Sequence, residues 1–115
     1  MATDSISIRE GTTSDIEMQL LSGSTPIDLS GIDHLELEMR DSKRKVYRYS
    51  TSDASPKISI VSASLGRVKY SPPNNKIFLA TNSPYRGYWI IYETSTKEYT
   101  VPEDNEWEIK IREDF

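Results

Sequence analysis

The sequence contains no cysteine and a single histidine, His34, in 115 residues. Without cysteine there are neither disulfides nor thiolate metal sites. With one imidazole, a Ser-His-Asp relay or a multi-histidine metal centre has little to build on. No segment approaches the roughly 18 apolar residues of a membrane-spanning helix. The opening Met1-Ala2-Thr3-Asp4-Ser5 lacks the basic and apolar regions of a secretory signal. The chain is therefore expected to be made and kept in a cytoplasm, or to leave it by lysis or assembly. A glycine-rich phosphate loop is missing too. The formal net charge of −4 runs against nucleic-acid binding, which calls for a clustered basic surface. The one basic cluster, Lys43-Arg44-Lys45 with Arg40 and Arg48 beside it, reads as a solvated hairpin tip.

What the sequence does have is apolar residues at every second position. Residues 1–115 suffice for one domain with its own core. Ile6 and Ile8 alternate with polar neighbours, and so do Ile16, Met18 and Leu20. Period two then recurs in Leu35-Glu36-Leu37-Glu38-Met39-Arg40, Val46 to Tyr49, Ile58 to Ile60, Arg67-Val68-Lys69-Tyr70, Glu98 to Val101 and Trp107 to Arg112. Strands show this period and helices do not. Turn signals separate the runs: Ser22-Gly23-Ser24-Thr25-Pro26, Leu65-Gly66 and Ser71-Pro72-Pro73-Asn74-Asn75. Ile77-Phe78-Leu79 reads as a strand or a buried loop. The expectation is an all-β fold: a single antiparallel β-sandwich, immunoglobulin-like or jelly-roll-like, of nine or ten short strands.

The longest apolar run lies in Tyr85-Arg86-Gly87-Tyr88-Trp89-Ile90-Ile91-Tyr92-Glu93. It is aromatic and β-branched, which suits a pleated surface. Gly87 and the polar Thr94 to Lys97 segment mark the ends of the run. Alternation sends Tyr88, Ile90 and Tyr92 one way and Trp89 and Ile91 the other. Only one face can enter the core. Bulky rings without a charged terminus bury most readily, so Trp89 and Ile91 are expected inward, with Tyr88 and Tyr92 outward and their hydroxyls wet. Tyrosine favours interfaces because one end can stay wet. Tyr85, Arg86, Tyr88 and Tyr92 are thus the candidate partner-contact surface. A sugar-stacking platform is the competing reading of the same rings.

No catalytic, cofactor-binding or metal residues are expected. His34 reads as a surface residue at the start of a strand. Glu36 and Glu38 are neighbours on the outer face of one strand, without sign of the cleft that paired-carboxylate hydrolysis needs. The acidic Glu103, Asp104 and Glu106 lack the spacing of a calcium loop.

The order of the short motifs carries a family resemblance. Ile8-Arg9-Glu10-Gly11-Thr12-Thr13-Ser14-Asp15-Ile16 comes first, then Pro26-Ile27-Asp28-Leu29-Ser30-Gly31. The strand Leu35 to Arg40 with its basic hairpin follows, then Gly66-Arg67-Val68-Lys69-Tyr70, Gly87-Tyr88-Trp89 and Val101-Pro102-Glu103-Asp104. This series resembles the N-terminal domain of siphophage baseplate upper proteins and related small tail accessory proteins, some with a receptor-binding-protein "shoulder"-like sandwich. Val101 stands where that family has an aromatic before the proline, and Ile27 where it has valine. The chain ends at Phe115 without the further part that holds receptor-binding proteins, so the resemblance implies a stand-alone accessory. It implies a non-enzymatic structural or adaptor protein at the virion tail tip. Such a protein would dock to a distal tail or receptor-binding component. The net charge of −4 and the charged outer faces of most strands lead separately to the expectation of a monomer in isolation, and the lack of cysteine and of further histidine to that of no metal or cofactor. The alternative is a carbohydrate-binding module for host cell-wall polysaccharide.

Overall fold

The computed structural model describes residues 5–94, 96–102 and 106–113. These residues form eleven strands: β1 (Ser5–Arg9), β2 (Ile16–Gln19), β3 (Leu21–Ser22), β4 (Thr25–Pro26), β5 (His34–Arg40), β6 (Val46–Ser50), β7 (Ile58–Ser62), β8 (Arg67–Tyr70), β9 (Tyr85–Tyr92), β10 (Glu98–Val101) and β11 (Trp107–Arg112). A single 3-10 turn, Ala80–Asn82, is the only helical element among the described residues. The all-β expectation holds, and the strand count exceeds it. The surplus strands, β3 and β4, form a two-residue ladder around Gly23 that is too short to show alternation. Ile77 to Leu79 is a loop, with Phe78 fully buried.

Three sheets result. The largest has the order β1-β11-β9-β5-β6, with β10 also on β9; a second is β2-β8-β7, and β3-β4 is the third. Pairing is antiparallel except for β1 on β11, which runs parallel from Ser5↔Glu108 to Arg9↔Arg112. This corrects the purely antiparallel expectation. Alternation fixes which side chains face inward but carries no information on strand direction. Here the two partners are joined by most of the chain rather than by a tight turn.

β9 is the axis of the large sheet. β5 pairs with it along its full length, from His34↔Tyr92 to Arg40↔Arg86. Two strands share its other edge: β11 opposite Tyr85 to Gly87 and β10 opposite Trp89 to Tyr92. Gly87 is therefore not an end marker but an interior residue of the strand. Tyr85, Trp89 and Ile91 point inward and are at most 1% exposed. They join Leu35, Leu37 and Met39 of β5 and Trp107, Ile109 and Ile111 of β11 in one apolar cluster with Ile16, Ile58, Val68 and Tyr70 of the second sheet. Specific contacts tie the two sheets. The Tyr70 hydroxyl donates to that of Tyr49 at 2.9 Å, and Trp89 Nε1–H to Met18 Sδ at 3.3 Å. Phe78 meets both Tyr70 and Tyr85 edge to face, a favourable arrangement of ring quadrupoles.

The β5–β6 turn depends on Asp41, a buried carboxylate. It accepts from the backbone N–H groups of Lys43 and Lys45 at 2.9 and 3.0 Å, and from the Tyr47 hydroxyl at 3.3 Å. A buried charge satisfied in this way escapes most of its desolvation cost.

The tyrosines yield a test of packing. All seven hydroxyls are held above the ordinary phenol value, Tyr47 and Tyr92 at about 12. Burial is the leading cause for six of them; at Tyr88 it is the hydrogen bond to Glu38. A folded-state pKa raised above the unfolded one stabilises fully below the unfolded value, and the effect is lost as pH climbs through the folded value. Phenolate absorbance of the native protein is therefore expected to stay low at about pH 10, where free tyrosine titrates, and to rise steeply only with alkaline unfolding. A native titration overlaying that of the denatured chain would show the rings to be exposed.

The outer face of the central strand as candidate functional site

Because odd-numbered residues of β9 enter the core, Arg86, Tyr88, Ile90 and Tyr92 line its outer face in a row. Register sets their neighbours: Arg40, Glu38, Glu36 and His34 of β5 on one side, Glu108 of β11 with Thr100 and Glu98 of β10 on the other. Arg48 of β6 stands opposite Glu38.

Polar contacts hold Arg86, Tyr88 and Tyr92 to the neighbouring strands. Glu38 accepts from the Tyr88 hydroxyl and from Arg48 Nη2. Arg40 and Arg86 face one another directly, a like-charge pair that is destabilising by itself. The repulsion is offset by Glu106, 2.5 Å from Arg40 Nη2, and by Glu108, 3.1 Å from Arg86. A cleft of about 350 Å³ opens beside this pair, bordered by Ser42, Arg44 and Pro84. At the other end the rings of His34 and Tyr92 stack, centroids 4.1 Å apart and 11° from parallel. His34 Nδ1 lies 2.6 Å from Asp33 and Nε2 3.3 Å from Glu36, and Glu36 also receives the Tyr92 hydroxyl at 3.4 Å. Ile90, between the two tyrosines, is only 7% exposed although it points outward.

Three of the four expected contact residues therefore share one face. Tyr85 does not. It is fully buried on the opposite side of β9, its hydroxyl donating to Ile77 O at 2.6 Å and accepting from Leu79 N–H at 3.1 Å. The parity of the strand places it with Trp89, so it drops out of the contact surface. Tyr88 and Tyr92 do point outward; both are half-buried, and their hydroxyls lie against β5 carboxylates. Glu36, Glu38, His34 and Arg48 belong to the face. Taking the alternation of β5 and β9 together with an antiparallel register would have pointed to them. Glu103 and Asp104 of the acidic segment lie outside the described residues, whereas Glu106 is the partner of Arg40. Among the described residues no three acidic or histidine groups converge as metal ligands.

The polar groups of this face are engaged with one another. Its carboxylates are engaged with phenols and guanidinium groups, and both nitrogens of its imidazole face carboxylates. The Tyr88 hydroxyl first, and then Arg48, hold the Glu38 carboxyl below the usual carboxylate range. A depressed folded-state pKa stabilises above the unfolded value and is lost as pH falls through the folded one. The wild-type protein is thus expected to lose stability below about pH 4, and Glu38→Gln to be less stable at neutral pH but less sensitive to acid. Thermal melts across that range check both, and parallel pH profiles for the two proteins would remove Glu38 from the acid response. No protein-family model matches the sequence, and no curated protein matches it either.

Proposed function

We propose that this chain is a non-enzymatic structural or adaptor module of a bacteriophage tail tip or baseplate, monomeric in isolation, which docks to a tail protein through the outer face of β9. The motif order supplies the phage assignment. The observation that carries docking is the pre-ordered row of Arg86, Tyr88, Ile90 and Tyr92, in which rings and charges are already fixed by neighbours. A surface whose side chains are held before contact loses little rotamer entropy on binding. Tyrosine and arginine are also the residue types that most often anchor interfaces.

We read the two larger sheets as the layers of one β-sandwich, immunoglobulin-like or jelly-roll-like. The Tyr49–Tyr70 and Trp89–Met18 contacts between them support that reading. The carbohydrate-binding alternative needs a ring face open to a pyranose, and one face of Tyr92 is already occupied by His34.

Mass spectrometry of purified phage particles, together with binding to the purified distal tail protein, tests the proposal. The chain should be present in particles, and the Arg86→Glu/Tyr92→Ala double variant should bind at least about tenfold more weakly than wild type. Expression in infected cells without incorporation into particles would refute it, and so would unchanged binding by a folded double variant.

A further inference from the structure

On the side of the molecule where β1 and β2 are the outermost strands, a second cleft of about 310 Å³ runs between the two sheets. Its walls include Met18 and Leu20 on one side and Trp89, Val101 and Trp107 on the other. Two features distinguish it from a packing gap. The first is Trp107 Nε1–H, a donor on a residue only 4% exposed that has no hydrogen-bond partner. Buried donors are almost always paired; this one is covered in the free chain, and a small turn of the indole toward the cleft that it borders would bring it to an acceptor from outside.

The second feature is the free edge of β2. Leu20 N–H donates to Gly66 O at 2.7 Å, and Met18 lies opposite Val68 in the same ladder. Hydrogen-bonded pairs alternate along an antiparallel ladder. Glu17 and Gln19 therefore aim their backbone N–H and C=O groups away from β8, and both residues line the cleft. β2 has no partner strand other than β8 among the described residues. The edge also carries an unmatched charge. Glu17 makes no ion pair among the described residues, because its cross-strand neighbour Lys69 is 3.4 Å from Asp15 instead.

We infer that this cleft binds an extended peptide segment of alternating basic and bulky apolar residues, which adds as a strand to the free edge of β2. Backbone groups of the segment pair with those of Glu17 and Gln19. Its apolar side chain enters between the sheets, an acceptor of the segment takes the Trp107 N–H, and its lysine or arginine lies beside Glu17. Edge addition of this kind draws affinity from the main chain and selectivity from the alternating side-chain positions. Glu108 borders both this cleft and the outer face of β9, but neither Glu17, Gln19 nor Trp107 belongs to that face, so variants at these positions test the inference independently of the tail-docking proposal.

The probe is a pool of capped hexapeptides alternating lysine with phenylalanine, leucine or valine. Binding to the full chain is followed by the two indole N–H resonances in nitrogen-15 spectra, assigned with Trp107→Phe. Saturable binding at or below about 1 mM is expected, with a downfield shift of the Trp107 resonance. Methylating the peptide nitrogens that face β2, or substituting Glu17→Lys, should weaken binding by about tenfold or more, one to two lost contacts' worth. Gln19→Pro removes an edge N–H while sparing the β8 ladder and should do the same in a variant whose melting temperature shows it folded. No binding by any member of the pool overturns the inference. Binding that ignores backbone methylation, or that leaves the Trp107 resonance unmoved, overturns it equally.

Discussion

Trp89→Ala is expected to destabilise the protein by about 3–5 kcal/mol, the usual range for removing a buried aromatic. Trp89 is 1% exposed at the middle of the longest strand, and its indole N–H reaches across to Met18 of the second sheet. Truncation leaves a cavity where the two sheets meet and cuts one of the contacts between them. Tyr92→Ala, three residues along on the opposite face, should cost only about 1 kcal/mol, the value of its stack on His34. The remaining hydrogen bond, to Glu36 at 3.4 Å, is long and adds little. Thermal or denaturant melts of the two variants separate the faces. A large loss for Tyr92→Ala with a small one for Trp89→Ala would mean that the strand is inside out.

How far the sequence specifies this arrangement depends on which physical signal is asked for. Period-two alternation is local, and it placed Leu35, Leu37, Met39, Trp107, Ile109 and Ile111 inward without error. Together with the preference of tryptophan and isoleucine for the interior over tyrosine, it also identifies the buried side of β9. Register and strand direction are non-local. That is why the parallel β1–β11 pair and the splitting of one β9 edge between β10 and β11 could not be read. The same gap explains the candidate site. Arg86, Tyr88 and Tyr92 were visible as an aromatic, charged run. The β5 partners of Tyr88 and Tyr92, Glu38 and Glu36, lie about fifty residues away in sequence, and that of Arg86 is Glu108 on β11. A run bounded at Gly87 leaves Tyr85 without a defined parity. Counting the parity back through Gly87 puts Tyr85 in the core.

Gly87 is also where the second large effect is expected. A glycine within a strand often marks a close approach of another group, and here there are two. A Cβ at this position would lie 2.4 Å from the carbonyl oxygen of Glu38 on β5 and 2.6 Å from Cζ2 of Trp107 on β11. Trp107 is paired with Gly87 in the ladder, and its ring lies over the space where a side chain would be. Neither neighbour can retreat easily, since one is main chain in a fully paired strand and the other a ring 4% exposed. Gly87→Ala should therefore cost about 3 kcal/mol, the upper end of the range for overpacking, and lower the melting temperature by roughly 12 °C at about 4 °C per kcal/mol. The Trp107→Ala background separates the two obstacles. Removing the ring should reduce the penalty for Gly87→Ala but not abolish it, because the Glu38 carbonyl remains, and the difference is the coupling read by a double-mutant cycle. Full additivity would place the ring away from Gly87. A Gly87→Ala variant that melts with the wild type would show that β5 and β11 do not close on this residue at all.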